Sequence, residues 1–302
     1  MHFNLITILG PTAAGKTRLS AQLANYFNGE IISADSRQVY KGMDIGTGKD
    51  LNDYLINGNK VPYHLIDILE PSEEFNLFLF TKLFYQAYAK ISSLHKIPFL
   101  VGGTGLYLHS ILKKYNLQEV EFNKNRTEEL DKFTIEELAE LLKKINPALH
   151  NSTDLIIKER IITAIIIAET KNNKICQTKD EINSLVIGVR LEREEIKKRI
   201  TDRLIARLDN GMIEEVKQLL NDGITFERLN LFGLEYKFIG KYLNKELSYD
   251  DMFQKLNSSI HNFAKRQMTW LRKMNREGID INWIDGPDYA AAKQIISQKY
   301  FS

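Results

Sequence analysis

Leu5-Ile6-Thr7-Ile8-Leu9-Gly10-Pro11-Thr12-Ala13-Ala14-Gly15-Lys16-Thr17 decides how the rest of the chain is read. Leu5 to Leu9 is a short apolar run stopped by Gly-Pro, the signature of a buried strand. From Lys16 to about Phe27 the spacing changes to that of a helix, with Leu19, Leu23 and Phe27 on one face. Between them, Gly10 to Thr17 fits the pattern G-x-x-x-x-G-K-[ST] in its proper strand–loop–helix setting. In that setting successive backbone N–H groups and a helix N-terminus converge on phosphate oxygens. Lys16 adds a point charge, and the Thr17 hydroxyl is a candidate Mg²⁺ ligand. The segment predicts binding of a diphosphate or polyphosphate and leaves open which compound carries it.

Moving outward, short apolar runs recur at Glu30 to Ala34, Tyr63 to Leu69, Ile97 to Val101 and Leu185 to Arg190. Helical stretches separate them, over Phe75 to Leu94 and Leu106 to Lys114. Strands alternating with helices predict an α/β fold, a P-loop-containing parallel sheet flanked by helices. From Asn116 to Ser184 the periodicity of Leu130, Ile135, Leu138, Leu142 and Ile145 is helical and no strand is evident. The expected organisation is therefore a first part of the core over 1–114, a helical insertion over 115–184, and core completion with a helical C-terminal region over 185–302.

The chain has 302 residues, with 41 Lys plus Arg against 39 Asp plus Glu, and so a net charge of only +2. This composition excludes disordered and fibrous classes. Cys176 is the only cysteine, so neither a disulfide framework nor a cysteine-based zinc site can form within one chain. His64, His95, His109, His150 and His261 lack metal-ligand spacing. No run approaches membrane-spanning length and no signal peptide is evident, which predicts a soluble cytoplasmic protein, expected to be a monomer.

The small net charge conceals opposed regions. Met252 to Arg276 contains no Asp or Glu but carries Lys255, Lys265, Arg266, Arg272, Lys273 and Arg276, while acids such as Glu136, Glu137 and Glu140 gather in the insertion. A second basic stripe, Arg199, Arg203 and Arg207, recurs at four-residue spacing and occupies one helix face. Such stripes are where phosphate contacts with RNA are made, although a single one is as often a solvated face. Trp270 is expected to pack in the core, since Met268 and Leu271 share its helix. Among acids at strand ends, Asp67 is a candidate magnesium partner. Asp35 is better placed, at the sheet edge where ligands of open parallel sheets bind.

Four further segments resemble one family. They are Asp35-Ser36-Arg37-Gln38-Val39-Tyr40-Lys41-Gly42-Met43-Asp44-Ile45-Gly46-Thr47, Gly102-Gly103-Thr104-Gly105-Leu106-Tyr107, Arg160, and Ala264-Lys265-Arg266-Gln267-Met268-Thr269-Trp270-Leu271-Arg272. In this order, and with the phosphate loop, they resemble the tRNA dimethylallyltransferases from about Leu5 to Asp285. The resemblance implies transfer of a dimethylallyl group from dimethylallyl diphosphate to N6 of the adenine beside the anticodon (position 37) of tRNA. It implies that Gly10, Pro11, Thr12, Ala13, Ala14, Gly15, Lys16 and Thr17 hold the diphosphate, with Mg²⁺ at Thr17. It further implies that Asp35 is the general base and that Thr104 lies near the reacting centre. Contacts to tRNA would fall to Asp35, Ser36, Arg37, Gln38, Thr104, Arg160, Lys265, Arg266 and Gln267.

Two places depart from the family pattern. Arg160-Ile161-Ile162-Thr163 has Thr163 where the family often has a second arginine, and Gly233-Leu234-Glu235-Tyr236-Lys237 lacks the arginine expected upstream, with Asn230 and Phe232 in that neighbourhood. The competing readings are a P-loop small-molecule kinase, an adenylate isopentenyltransferase acting on free nucleotide, and a tRNA-binding protein without catalysis.

Overall fold

The computed structural model describes residues 2–115, 117, 124–145, 158–169 and 181–301. It divides into two units, Met1–Lys114 with Asp180–Ser302, and Tyr115–Lys179.

The first unit is built on β1 (Leu5–Leu9), α1 (Lys16–Tyr26), β2 (Gly29–Ala34), a small hairpin of β3 (Leu55–Ile56) and β4 (Asn59–Lys60), β5 (Tyr63–His64), α2 (Leu77–Ser93), β6 (Ile97–Gly102) and α3 (Gly105–Leu112). The second unit contributes α4 (Lys124–Leu130), α5 (Ile135–Ile145) and α6 (Lys158–Glu169). The chain then returns to the first unit with β7 (Ser184–Arg190), α7 (Arg193–Asp209), α8 (Met212–Asn221), α9 (Phe226–Leu231), α10 (Leu234–Leu243), α11 (Tyr249–Arg276), β8 (Ile281–Asp285) and α12 (Tyr289–Lys299).

Six strands form one sheet in the order β5-β2-β6-β1-β7-β8, and every pairing in it is parallel. β1 lies inside the sheet, with Ile6 opposite both Phe99 and Leu185. A strand covered on both faces needs apolar residues on both, and Leu5 to Leu9 are buried throughout, Thr7 included. One core lies under α1 and α12, around Ile6, Ile8, Leu23 and Ile187. The other lies under α2, α3 and the end of α11, around Leu5, Phe84, Leu100 and Leu271. A third cluster joins α7, α8, α10 and α11 to Val39, Tyr40 and Met43 of the segment after β2. In the second unit, Leu130, Leu138, Leu142, Ile161 and Ile165 bury one another. No helix among the described residues is long and apolar enough to cross a membrane.

The structure corrects two elements of the sequence reading. Only Tyr63 and His64 of the run Tyr63 to Leu69 pair as a strand. Leu65 and Asp67 adopt positive φ, and the Ile68 N–H then donates to the Val39 carbonyl at 2.8 Å, so the segment folds back on the loop after β2. The edge strand β8 and helix α12 were not anticipated. Ile281-Asn282-Trp283-Ile284-Asp285 mixes polar and apolar residues because it is flanked on one side only.

Candidate functional site

The C-terminal ends of β1, β2 and β6 open into a cavity of about 800 Å³. β1 delivers the loop of residues 10–17, whose path is set by Ala13 and Gly15 at positive φ, 61° and 80°. Gly15 caps α1 in the left-handed region with no side-chain bond, which leaves the first helical N–H groups facing the cavity. β2 delivers Asp35, whose Oδ1 accepts the Arg37 N–H at 2.9 Å. Its Oδ2 has no partner among the described residues. β6 delivers Gly103 and Thr104, and Thr104 begins α3 without using its hydroxyl as a cap.

Thr12, Ala13, Gly15, Lys16, Thr17, Asp35, Ser36, Arg37, Gln38, Thr104, Arg266 and Gln267 all line this cavity. Gly10, Pro11 and Ala14 are buried beneath the loop instead. Pro11 still contributes, because its carbonyl accepts the Lys16 ammonium at 2.6 Å. Lys265 is exposed and does not line the cavity. Arg160 lies within α6 of the second unit; its side chain, like that of Thr163, is outside the described residues.

Two polar side chains read as tRNA contacts have internal partners. The Gln267 Oε1 accepts the Thr12 N–H at 2.8 Å and its Nε2 donates to the Gly103 carbonyl at 2.9 Å. Gln38 donates to the Gly48 carbonyl at 3.0 Å and accepts from the Ser33 hydroxyl at 3.0 Å. Both are therefore braces of the loops around the cavity. Asp67, a candidate magnesium partner by sequence, pairs with the fully buried ammonium of Lys49, which also donates to the Tyr40 carbonyl at 2.7 Å and to Asp44 at 2.6 Å. Trp270 does not enter the core. It is half-buried at the cavity wall beside Gly105, with the Lys273 ammonium 4.7 Å from its ring centre.

The basic stripe of α7 turns out to form another wall. Arg199, Arg203 and Arg207 line the cavity, and Arg203 donates to the Thr12 hydroxyl. Burial, followed by repulsion from Arg203, pushes the Lys16 ammonium down to about 7, against the pull of Asp35. Burial and then Arg207 push the Arg203 guanidinium down to about 10. Burial raises the Glu235 carboxyl, with Arg207 and Arg203 opposing it. A wall on which Arg203 depresses Lys16 and Arg207 depresses Arg203 suits an anion. Among the described residues no three or more His, Cys, Asp or Glu cluster as a metal site. The donors that suit a magnesium ion here are the Thr17 hydroxyl with substrate oxygens and water, since Mg²⁺ takes few protein ligands.

Sequence reasoning missed what holds these loops. Glu215 of α8 accepts the backbone N–H groups of Asp44, Ile45 and Gly46 at 2.8, 2.7 and 2.9 Å, and the Tyr236 hydroxyl at 2.7 Å. The departing segment also lines the cavity, through Asn230, Phe232, Gly233, Glu235 and Lys237.

The IPP transferase family model matches residues 38–274, and an isopentenyl transferase model matches residues 3–64. A protein of Geotalea uraniireducens named tRNA dimethylallyltransferase 1 is 52% identical over 286 residues, covering 95% of this chain and 94% of the relative. One of Porphyromonas gingivalis named tRNA dimethylallyltransferase 2 is 52% identical over 283 residues, covering 93% of each. Among solved structures, the full-length tRNA isopentenylpyrophosphate transferase of Bacillus halodurans superposes with a TM-score of 0.71 at 32% identity, covering 99% of this chain and 97% of its own. A eukaryotic dimethylallyltransferase acting on tRNA gives a TM-score of 0.77 at 25% identity, covering 98% of this chain and 77% of its own. Matched by that model over most of its length, and more than half identical to tRNA dimethylallyltransferases almost end to end, this chain belongs to the IPP transferase family.

Proposed function

We propose that this enzyme transfers the dimethylallyl group of dimethylallyl diphosphate to N6 of the adenine beside the anticodon of tRNA, giving N6-isopentenyladenosine. The observation that carries this reading is the convergence of loop 12–17, Asp35 and Thr104 on one cavity. In the reaction the allylic C–O bond breaks, the electron pair leaves with the diphosphate, and a C–N bond forms at N6. Lys16, the loop N–H groups and the α7 arginines stabilise the charge that grows on the leaving group. The amine lone pair of adenine is delocalised into the ring, so N6 is a weak nucleophile until a base removes its proton. Asp35 takes that proton at its unpartnered Oδ2 and later returns it to solvent. Thr17 would hold a magnesium ion, which would supply charge neutralisation for the departing group. Ser36, Arg37, Thr104 and Arg266 receive the adenine and its neighbours once the base has left the stack. Lys265, exposed one residue before Arg266, contacts the RNA backbone, as does Arg160.

Incubation with labelled dimethylallyl diphosphate, Mg²⁺ and either unmodified tRNA or AMP tests this. Label is expected in tRNA at one adenine. Label in AMP alone would assign the enzyme to free nucleotides, and γ-phosphoryl transfer from ATP would assign it to the kinases.

A further inference from the structure

Arg207 stands apart from the other cavity arginines. It is only 9% exposed, yet its Nε has no hydrogen-bond partner, the one buried side-chain nitrogen or oxygen so placed among the described residues. Its contact to Asp50 is 3.3 Å long, and Asp50 is half in solvent, so that pair is weak. The guanidinium lies against the backbone of Gly48, so close that any Cβ there would overlap it, and Gly48 sits at φ +64°. The loop braced by Glu215 and Gln38 therefore holds the guanidinium at the cavity wall, near Arg203 and Glu235.

We propose that Arg207 is a ligand of the allylic diphosphate, the end of its guanidinium exchanging the long bond to Asp50 for phosphate oxygens when the substrate binds. This rests on the diphosphate reading above. A phosphate is the acceptor whose geometry the guanidinium fork matches. Arg203 is already committed to Thr12 at the loop, and Arg207 follows it by one helical turn on the same face of α7. Together they extend the anion-binding wall beyond loop 12–17. The extra cation matters most as the diphosphate gains charge on leaving. Arg203 alone shares its field with Glu235, Asp50 and Asp35.

Calorimetric binding of inorganic diphosphate with Mg²⁺ tests the assignment, with prenyl transfer to tRNA measured in parallel. Arg207→Met is expected to weaken diphosphate about 10–100-fold, the worth of one or two charge-assisted hydrogen bonds. Arg207→Lys should fall between, and tRNA affinity should not change. Asp50→Asn separates binding from loop support, because it removes the negative charge that faces Arg207 among the described residues without removing the guanidinium. It should leave diphosphate affinity unchanged or tighter. Equal losses in Asp50→Asn and Arg207→Met would overturn the proposal and make Arg207 a loop brace. So would wild-type diphosphate affinity in Arg207→Met. If the wild-type enzyme binds no diphosphate, the reading beneath falls as well, and that outcome shows in the wild-type titration alone.

Discussion

Gln267 of α11 accepts the backbone N–H of Thr12 at 2.8 Å, while the same amide donates to the carbonyl of Gly103 at 2.9 Å. One side chain thus sets the phosphate-binding loop after β1 against the loop that carries Thr104. Gln267→Leu removes both bonds and leaves the buried Gly103 carbonyl without a partner. The expected loss is about 1–3 kcal/mol of stability, together with a raised KM for the allylic diphosphate. Urea midpoints and steady-state kinetics read the two effects. Wild-type values for both would show that the loops hold their positions without it.

The sequence exposed what is local and concealed what is not. The strand and loop at Leu5 to Thr17 were legible because the motif and its flanking periods sit in one short segment. The arginines of α7 were visible as a stripe, but their target was not, because only folding brings Arg203 to Thr12, 191 residues away. Glu215 carries no motif at all, since the backbone groups it holds lie 169 to 171 residues upstream. Trp270 was misread because its apolar neighbours on the helix suggested burial, whereas the chain reserves that edge of α11 for the cavity. In the same way, Asp67 looked like a strand-end acid until its backbone turned it toward Lys49.

Among the described residues Glu215 accepts from four donors. Glu215→Gln replaces one carboxylate oxygen with an NH₂ group that meets N–H or O–H groups already pointing at it. Hydrogen bonds to a charged group contribute more than neutral ones, so a loss of about 2–3 kcal/mol is expected. Denaturant unfolding at neutral pH measures it. A change below about 0.5 kcal/mol would mean that water satisfies the 44–46 backbone equally well.

Asp35→Asn keeps an oxygen for the Arg37 N–H and so preserves the turn after β2. It removes the proton acceptor, so the chemical step should slow by about 10²–10⁴-fold, the usual worth of a general base. The thermal midpoint should stay near that of the wild type. Single-turnover rates with saturating tRNA isolate the step. Rates close to wild type would take the proton-accepting role away from Asp35.

Lys16 gives the pH dependence its sign. Its native value, about 7, lies below the ordinary 10.5 because burial comes first and Arg203 second, with Asp35 only partly compensating. Between about 7 and 10.5 the unfolded chain holds the extra proton, so this group makes stability rise with pH across that window. Below about 7 both states are protonated and the native state carries the whole penalty. An allylic diphosphate reverses the balance by pairing with the ammonium and raising its value. Binding above about 7 therefore takes up a proton, and affinity falls as pH climbs through that point. Calorimetry at pH about 8, in buffers of different ionisation enthalpy, should detect uptake approaching one proton for the wild type and none for Lys16→Met. In Asp35→Asn the lost counter-charge should move the midpoint of the affinity profile to lower pH. Binding without proton uptake in the wild type would show that Lys16 enters the complex already charged, and that burial does not hold it near neutrality.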